Sequence, residues 1–158
     1  MKSIFPVALI FFMLVLGCGQ MSNIAKKSAS KNPYPGKLSD LLPEELSSGM
    51  IKFKLVGSVD NKTFPGATEA KSFTYMQQGA GVEIKVDGAL ANYPTAADAN
   101  AVIADIAKTN SGTLSKKSDG QRLTASDGSV AWTNGSLLCI EKAGVAKAAT
   151  NFEEAALF

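Results

Sequence analysis

The 158-residue chain contains no histidine at all. That one absence removes the commonest general base, the commonest metal ligand and the usual switch of charge near neutral pH. Cysteine is nearly as scarce. Cys18 and Cys139 are the two thiols in the sequence, too few to build a Cys/His zinc site without histidine. Charge of one sign is missing too, since 16 Lys and Arg face 14 Asp and Glu, and so balanced a chain gives no footprint for nucleic acid. No G-x-S-x-G, H-E-x-x-H or Walker loop occurs, so the familiar nucleophile, metalloprotease and phosphate-loop chemistries have no residues to stand on. From this inventory we expect no enzyme, no catalytic residues, no metal site and no cofactor. A ligand-binding residue cannot be named from the sequence.

Only one long apolar run is present. Met1-Lys2 supplies a short positive start, and Ile4 to Leu16 is thirteen residues without a charge. A helix of that length rises about 20 Å against the roughly 30 Å hydrocarbon core of a bilayer. The segment has the length of a signal-peptide core and falls short of a span. It ends in Leu14-Val15-Leu16-Gly17-Cys18. This pentapeptide resembles the lipobox of bacterial lipoprotein precursors, with Val15 at the aliphatic place, Leu16 at the variable one, Gly17 at the small one and Cys18 closing it. The resemblance implies cleavage between Gly17 and Cys18, lipidation of the Cys18 sulfur and acylation of its new amino terminus. Several acyl chains, at roughly 0.8 kcal/mol per buried methylene, hold a protein on a membrane where one does not. The other readings of the stretch are an uncleaved signal anchor and an ordinary signal peptide followed by an incidental cysteine. Gly19, which is not Asp, resembles the sorting pattern of lipoproteins destined for the outer membrane.

On the lipoprotein reading 141 residues remain after cleavage, with fifteen basic and fourteen acidic side chains. That is enough chain for one domain with a core of its own. With Cys18 lipidated, Cys139 has no partner for an internal disulfide. Residues 19–37 are rich in Ser, Asn, Pro, Gly and Lys and contain no acid, so they read as a tether. A flexible coil of that length has a mean reach of about 25 Å. Lys26, Lys27, Lys31 and Lys37 are dispersed along it as solvating charges that also suit an anionic leaflet. Residues 38–49 follow as a short helical segment. Its leucines, Leu38, Leu41, Leu42 and Leu46, predict packing onto the domain or docking to a partner.

The domain proper is expected over 50–158. Ile51, Phe53 and Leu55 alternate with Lys52 and Lys54, as in a half-buried strand. Residues 60–70 read as a loop, 72–77 as a second strand and 82–87 as a third. Thr95-Ala-Ala-Asp98 resembles a capping box, and Ala99, Val102, Ile103, Ile106 and Ala107 then recur at helical spacing. Asp119-Gly120, Asp127-Gly128 and Asn134-Gly135 predict three two-residue hairpin turns, hence a meander with strands near 113–118, 121–126, 129–133 and 136–141. One carboxylate per loop is too few for calcium, so turn chemistry accounts for these dipeptides. It accounts equally for the glycosylation-like Asn134-Gly135-Ser136.

Leu137-Leu138-Cys139-Ile140 is apolar at consecutive positions, which predicts an interior strand covered on both faces and a buried, unreactive Cys139. Trp132, Phe53, Phe73 and Tyr75 read as core filling. A last helix is expected over 144–157, with Val145, Ala148, Ala149, Phe152, Ala155 and Ala156 on one face. The whole is a single α+β domain of order β-β-β-α-β-β-β-β-α, a curved antiparallel sheet with two helices. That order is similar to helix-grip and TATA-binding-protein-like arrangements. The functional expectation is a membrane-anchored, non-enzymatic envelope lipoprotein, held by the lipid on Cys18 and facing the periplasm. Its domain would bind an envelope protein partner. The alternative is a carrier of a small hydrophobic ligand or lipid in a cavity between sheet and helix.

Overall fold

The computed structural model describes residues 32–158 apart from 80, 82, 118 and 119. Gly17, Cys18 and the apolar run before them lie outside the described residues, as does Asp119 of the first expected hairpin turn. Eight antiparallel strands form a single sheet: β1 (Glu45–Ser48), β2 (Ile51–Asp60), β3 (Glu69–Gln78), β4 (Ile84–Asn92), β5 (Thr113–Lys117), β6 (Gly120–Thr124), β7 (Val130–Asn134) and β8 (Leu137–Ala143). Helix α1 (Ala96–Thr109) joins β4 to β5 and helix α2 (Ala146–Ala155) follows β8. The order across the sheet is β1-β2-β3-β4-β8-β7-β6-β5. The chain thus lays down a four-stranded meander and a helix twice, and the two meanders join along β4 and β8.

Period-two patterning decides which side chains face which helix. On β8, Leu137 and Cys139 pack with Trp132 of β7 and with Ala149, Phe152 and Ala155 of α2. Their neighbour Leu138 points to the other face, among Ala131 of β7 and Ala99, Ile103 and Ala107 of α1. The two helices therefore cover opposite faces of the sheet. This is why β8 is apolar at consecutive positions: a helix covers each of its faces. Cys139 is 1% exposed and free, as its setting predicts.

The face under α2 is filled by aromatic rings. Phe152 meets Phe53, Phe73 and Tyr75 at centroid distances of 5.4, 5.5 and 5.3 Å. Phe73 lies across Gly88 of β4, where a Cβ would meet its ring and come within 2.7 Å of the Ile140 carbonyl. Glycine at that position is what lets the ring lie flat on the strand. Further along, Trp132 stacks on Phe158 at 5.9 Å and its Nε1 donates to the Phe158 carbonyl at 3.2 Å.

Several elements differ from the sequence-based expectation. Residues 38–49 were expected to be helical, but only Leu38–Leu41 forms a 3₁₀ turn, and Glu45–Ser48 is the edge strand β1. The alternation of buried Leu46 with exposed neighbours is a strand pattern too short to stand out. The leucines do pack onto the domain, and Leu38, Leu41, Leu42 and Leu46 are all buried. The segment expected to be tether up to residue 37 is docked from Asn32 on. The Asn32 side chain accepts from the Ala96 N–H at 2.9 Å, and Tyr34 is buried. The loop between β6 and β7 spans five residues, 125–129, because Asp127 closes an Asx turn on Ser129, and so it is longer than a two-residue hairpin. Val145 is exposed; it precedes α2 as its N-cap and does not share the helix's buried face.

Candidate functional site

A sheet with helices on opposite faces still has two edges and one uncovered half-face. β1 is only four residues long and its register with β2 runs from Ser48–Ile51 to Glu45–Lys54. One more bond, from the Leu55 N–H to the Glu44 carbonyl, ends the pairing at 2.8 Å. The chain before β1 then turns onto the α2 face, where the Tyr75 hydroxyl donates to the Pro43 carbonyl at 2.7 Å. From Val56 to Asp60, β2 has β3 on one side and no strand on the other. The ladder with β3 is irregular between Leu55 and Gly57, so Val56 bulges outward.

Exposed apolar side chains concentrate at this edge. Five large ones are exposed among the described residues, and three of them, Met50, Val56 (65%) and Val59 (66%), lie on β2 or the turn before it. Beside the edge an open groove of about 600 Å³ crosses β2, β3 and β4 on the face that α1 leaves bare. Its floor carries Ser72, Thr74 and Asp87. Thr74 donates to Asp87 at 2.6 Å and Lys85 reaches the same carboxylate at 2.9 Å, which together hold it below the usual carboxylate range, Thr74 having the larger effect. The opposite edge, β5, is open as well, but it ends in Lys116-Lys117, the kind of charge that discourages strand pairing.

A second cluster lies between the sheet and α2. Glu153 of α2 is half-buried, and Lys117 of β5 and Arg122 of β6 each reach its carboxylate at 2.8 Å. Burial alone would push this carboxyl up, but the two cations win and lower it. Lys117 also sits 5.2 Å from the centroid of the Trp132 ring, a cation–π distance. Glu141 of β8 points to the same face, being two residues from Cys139. It is 1% exposed and neither carboxyl oxygen has a hydrogen-bond partner. Burial, and secondarily the charge of Glu153, raises its pKa to about 7. Burial likewise pushes the Cys139 thiol up, which makes it a poor nucleophile.

No family model, curated protein or solved structure matches this chain. The site therefore has to be read from its own chemistry. Cys139 and Trp132, the two chemically distinctive residues singled out from the sequence, are brought together on adjacent strands and both fill core. Among the described residues no three His, Cys, Asp or Glu side chains gather as metal ligands, and no helix is long and apolar enough to cross a membrane.

Sequence reasoning missed the open edge, because whether a strand is paired on one side or two is not written in its own residues. It also missed Glu141, although its place in the alternation Leu137, Cys139, Glu141 was a signal that a carboxyl would face inward.

Proposed function

We propose that the chain is a lipid-anchored, non-enzymatic lipoprotein of a bacterial envelope, probing the periplasm from the outer membrane on its tether. In this reading the domain binds an envelope protein by accepting an extended segment of that protein as an extra strand. The observation that carries it is the edge of β2. Five residues, 56–60, offer main-chain donors and acceptors with no strand beside them, flanked by exposed Val56 and Val59. Main-chain hydrogen bonds supply affinity in this mode, and side-chain pockets along the edge supply specificity. The groove across β2–β4 would receive alternate side chains of the incoming strand. The anchor rests on the likeness of Val15-Leu16-Gly17-Cys18 to a lipobox, and the non-catalytic role on the absence of histidine and of any nucleophile motif.

The architecture favours this reading over a carrier of lipid, since the rings of Phe53, Phe73, Tyr75 and Phe152 occupy the sheet–α2 interface that a carrier would need. The likeness to helix-grip and TATA-binding-protein-like folds belongs to the same proposal. β8 lying beside β4 under α2 supports it, while α1 on the other face lies outside that grip.

Site-specific photocrosslinking in native membranes tests the docking edge. A photoreactive side chain at Val56 or Val59 is expected to give one discrete adduct, lost when Ser58, whose N–H points away from β3, becomes proline, a change an edge strand tolerates. Equal crosslinking from Leu114 on β5, or adducts that survive Ser58→Pro, would count against the edge. For the anchor, Cys18→Ser should abolish incorporation of a labelled fatty acid and leave the precursor uncleaved.

A further inference from the structure

We propose that α2 is a pH-sensitive clasp on the sheet, loosened by ionisation of the Glu141 carboxyl buried beneath it. The geometry has three parts. Glu141 is enclosed, at 1% exposure, on the face covered by α2, and both its oxygens lack a partner. Arg122, whose charge acts on it, and Lys117, the other cation held by Glu153, are both already engaged. Arg122 gives its Nε to Glu153 at 2.8 Å and its Nη1 to Thr124 at 2.7 Å, and Lys117 gives its Nζ to Glu153 at 2.8 Å. Finally, the helix that would have to move is short, ten residues, and its N-cap Val145 offers no side-chain bond.

The other groups facing Glu141 do not change this balance. Its own strand contributes the Cys139 thiol, which burial keeps neutral. β7 contributes Val130 and Trp132, and β4 contributes Val86, Gly88 and Leu90, none of which titrates. On β3, Phe73 carries no charge and the Tyr75 hydroxyl is bound to the Pro43 carbonyl. From α2 comes Glu153, an anion, while Glu154 accepts from Ser48 of β1 at 3.0 Å. A second anion at Glu141 would thus sit in a desolvated place beside Glu153 with no donor of its own, an arrangement that costs free energy until water reaches it. Lifting α2 admits that water.

The direction follows from linkage. With α2 closed, Glu141 holds its proton up to about pH 7; with α2 open, it ionises in the ordinary carboxylate range. Opening is therefore favoured progressively as pH rises through that interval and levels off above it. Between pH 6 and pH 8 the population with α2 open should rise by roughly tenfold.

Hydrogen exchange on the full chain in detergent micelles, at pH 6 and pH 8 and corrected for intrinsic exchange rates, tests the clasp. Amides from Ala149 to Ala155 are expected to exchange faster than those of β4 and β8 at both values. Their rate should rise about tenfold with pH in the wild type, and in neither Glu141→Gln nor Glu141→Met. A wild-type rate that does not rise, a rise that persists in both variants, or α2 amides as slow as those of β4 and β8 would each overturn the proposal.

Discussion

Single residues tie distant parts of this chain together through buried polar contacts, and Ser136 is the clearest case. Its hydroxyl accepts from the Tyr34 N–H at 2.8 Å and donates to the Asn92 side-chain carbonyl at 2.8 Å. Asn92 in turn gives its amide to the Tyr34 carbonyl at 3.0 Å, which closes a ring of three residues. The ring pins the entry of the chain to the end of β4 and to the β7–β8 turn, where the positive φ of 57° at Gly135 lets the chain reverse. All three residues are buried, so removing one hydroxyl strands a donor and an acceptor together. Ser136→Ala is expected to lower stability by about 2–3 kcal/mol, read as a shift of the urea midpoint at unchanged slope. An effect within a few tenths of a kcal/mol would show that water replaces the hydroxyl and that the ring does not hold the segment.

Elements divide by how much of their cause is local. Helix α1 was legible because its determinants lie within its own residues. Thr95 accepts from the Asp98 N–H at 3.1 Å, and Ala99, Ile103 and Ala107 are buried at the spacing the sequence shows. Thr95→Ala should cost about 1 kcal/mol, measured by chemical denaturation, and a Thr95→Ser variant should recover most of it, because serine caps as well and keeps the hydroxyl that donates to the Asp98 carboxylate at 2.7 Å. The meander was legible for the same reason. Gly128 and Gly135 take the positive φ angles, 84° and 57°, that their Asp-Gly and Asn-Gly dipeptides announce. The interior position of β8 could be read from consecutive apolar residues, since only a strand covered twice tolerates them. β1 could not be read, because four residues that pair with β2 acquire their conformation from that partner. The docked stretch from Asn32 to Lys37 was equally hidden. Its composition is that of a linker, and what holds it is Ser136, 102 residues away from Tyr34. Glu141 and the β2 edge belong to this second class. Each is defined by what lies beside it in space, or by what does not.

Across the whole molecule the buried and exposed carboxyls act on stability in opposite directions. Asp60 is lowered by its bond and charge contact with Lys71, Asp87 by Thr74 and then Lys85, and Asp127 by Lys142 and Ser129. Glu153 is lowered against its own burial by Lys117 and Arg122. A lowered acid stabilises the fold above its unfolded pKa, and that contribution disappears as pH falls through the folded value. Glu141 has the reverse sign. Its folded pKa, about 7, lies above the ordinary value of 4.5, so its contribution is complete below 4.5 and is lost as pH rises to 7. Converted at 1.36 kcal/mol per pH unit, the loss is about 3 kcal/mol. With histidine absent, no imidazole titrates in this interval to mask it. Urea midpoints of the full chain are therefore expected to peak near pH 5, falling steeply in acid and more gently toward pH 8. In Glu141→Gln the gentle limb should vanish and the maximum broaden through neutrality, while the acid limb, set by Asp60, Asp87, Asp127 and Glu153, stays where it is. A wild-type profile that is level or rising from pH 5 to pH 8 would mean that Glu141 finds a donor inside the fold and is ionised there.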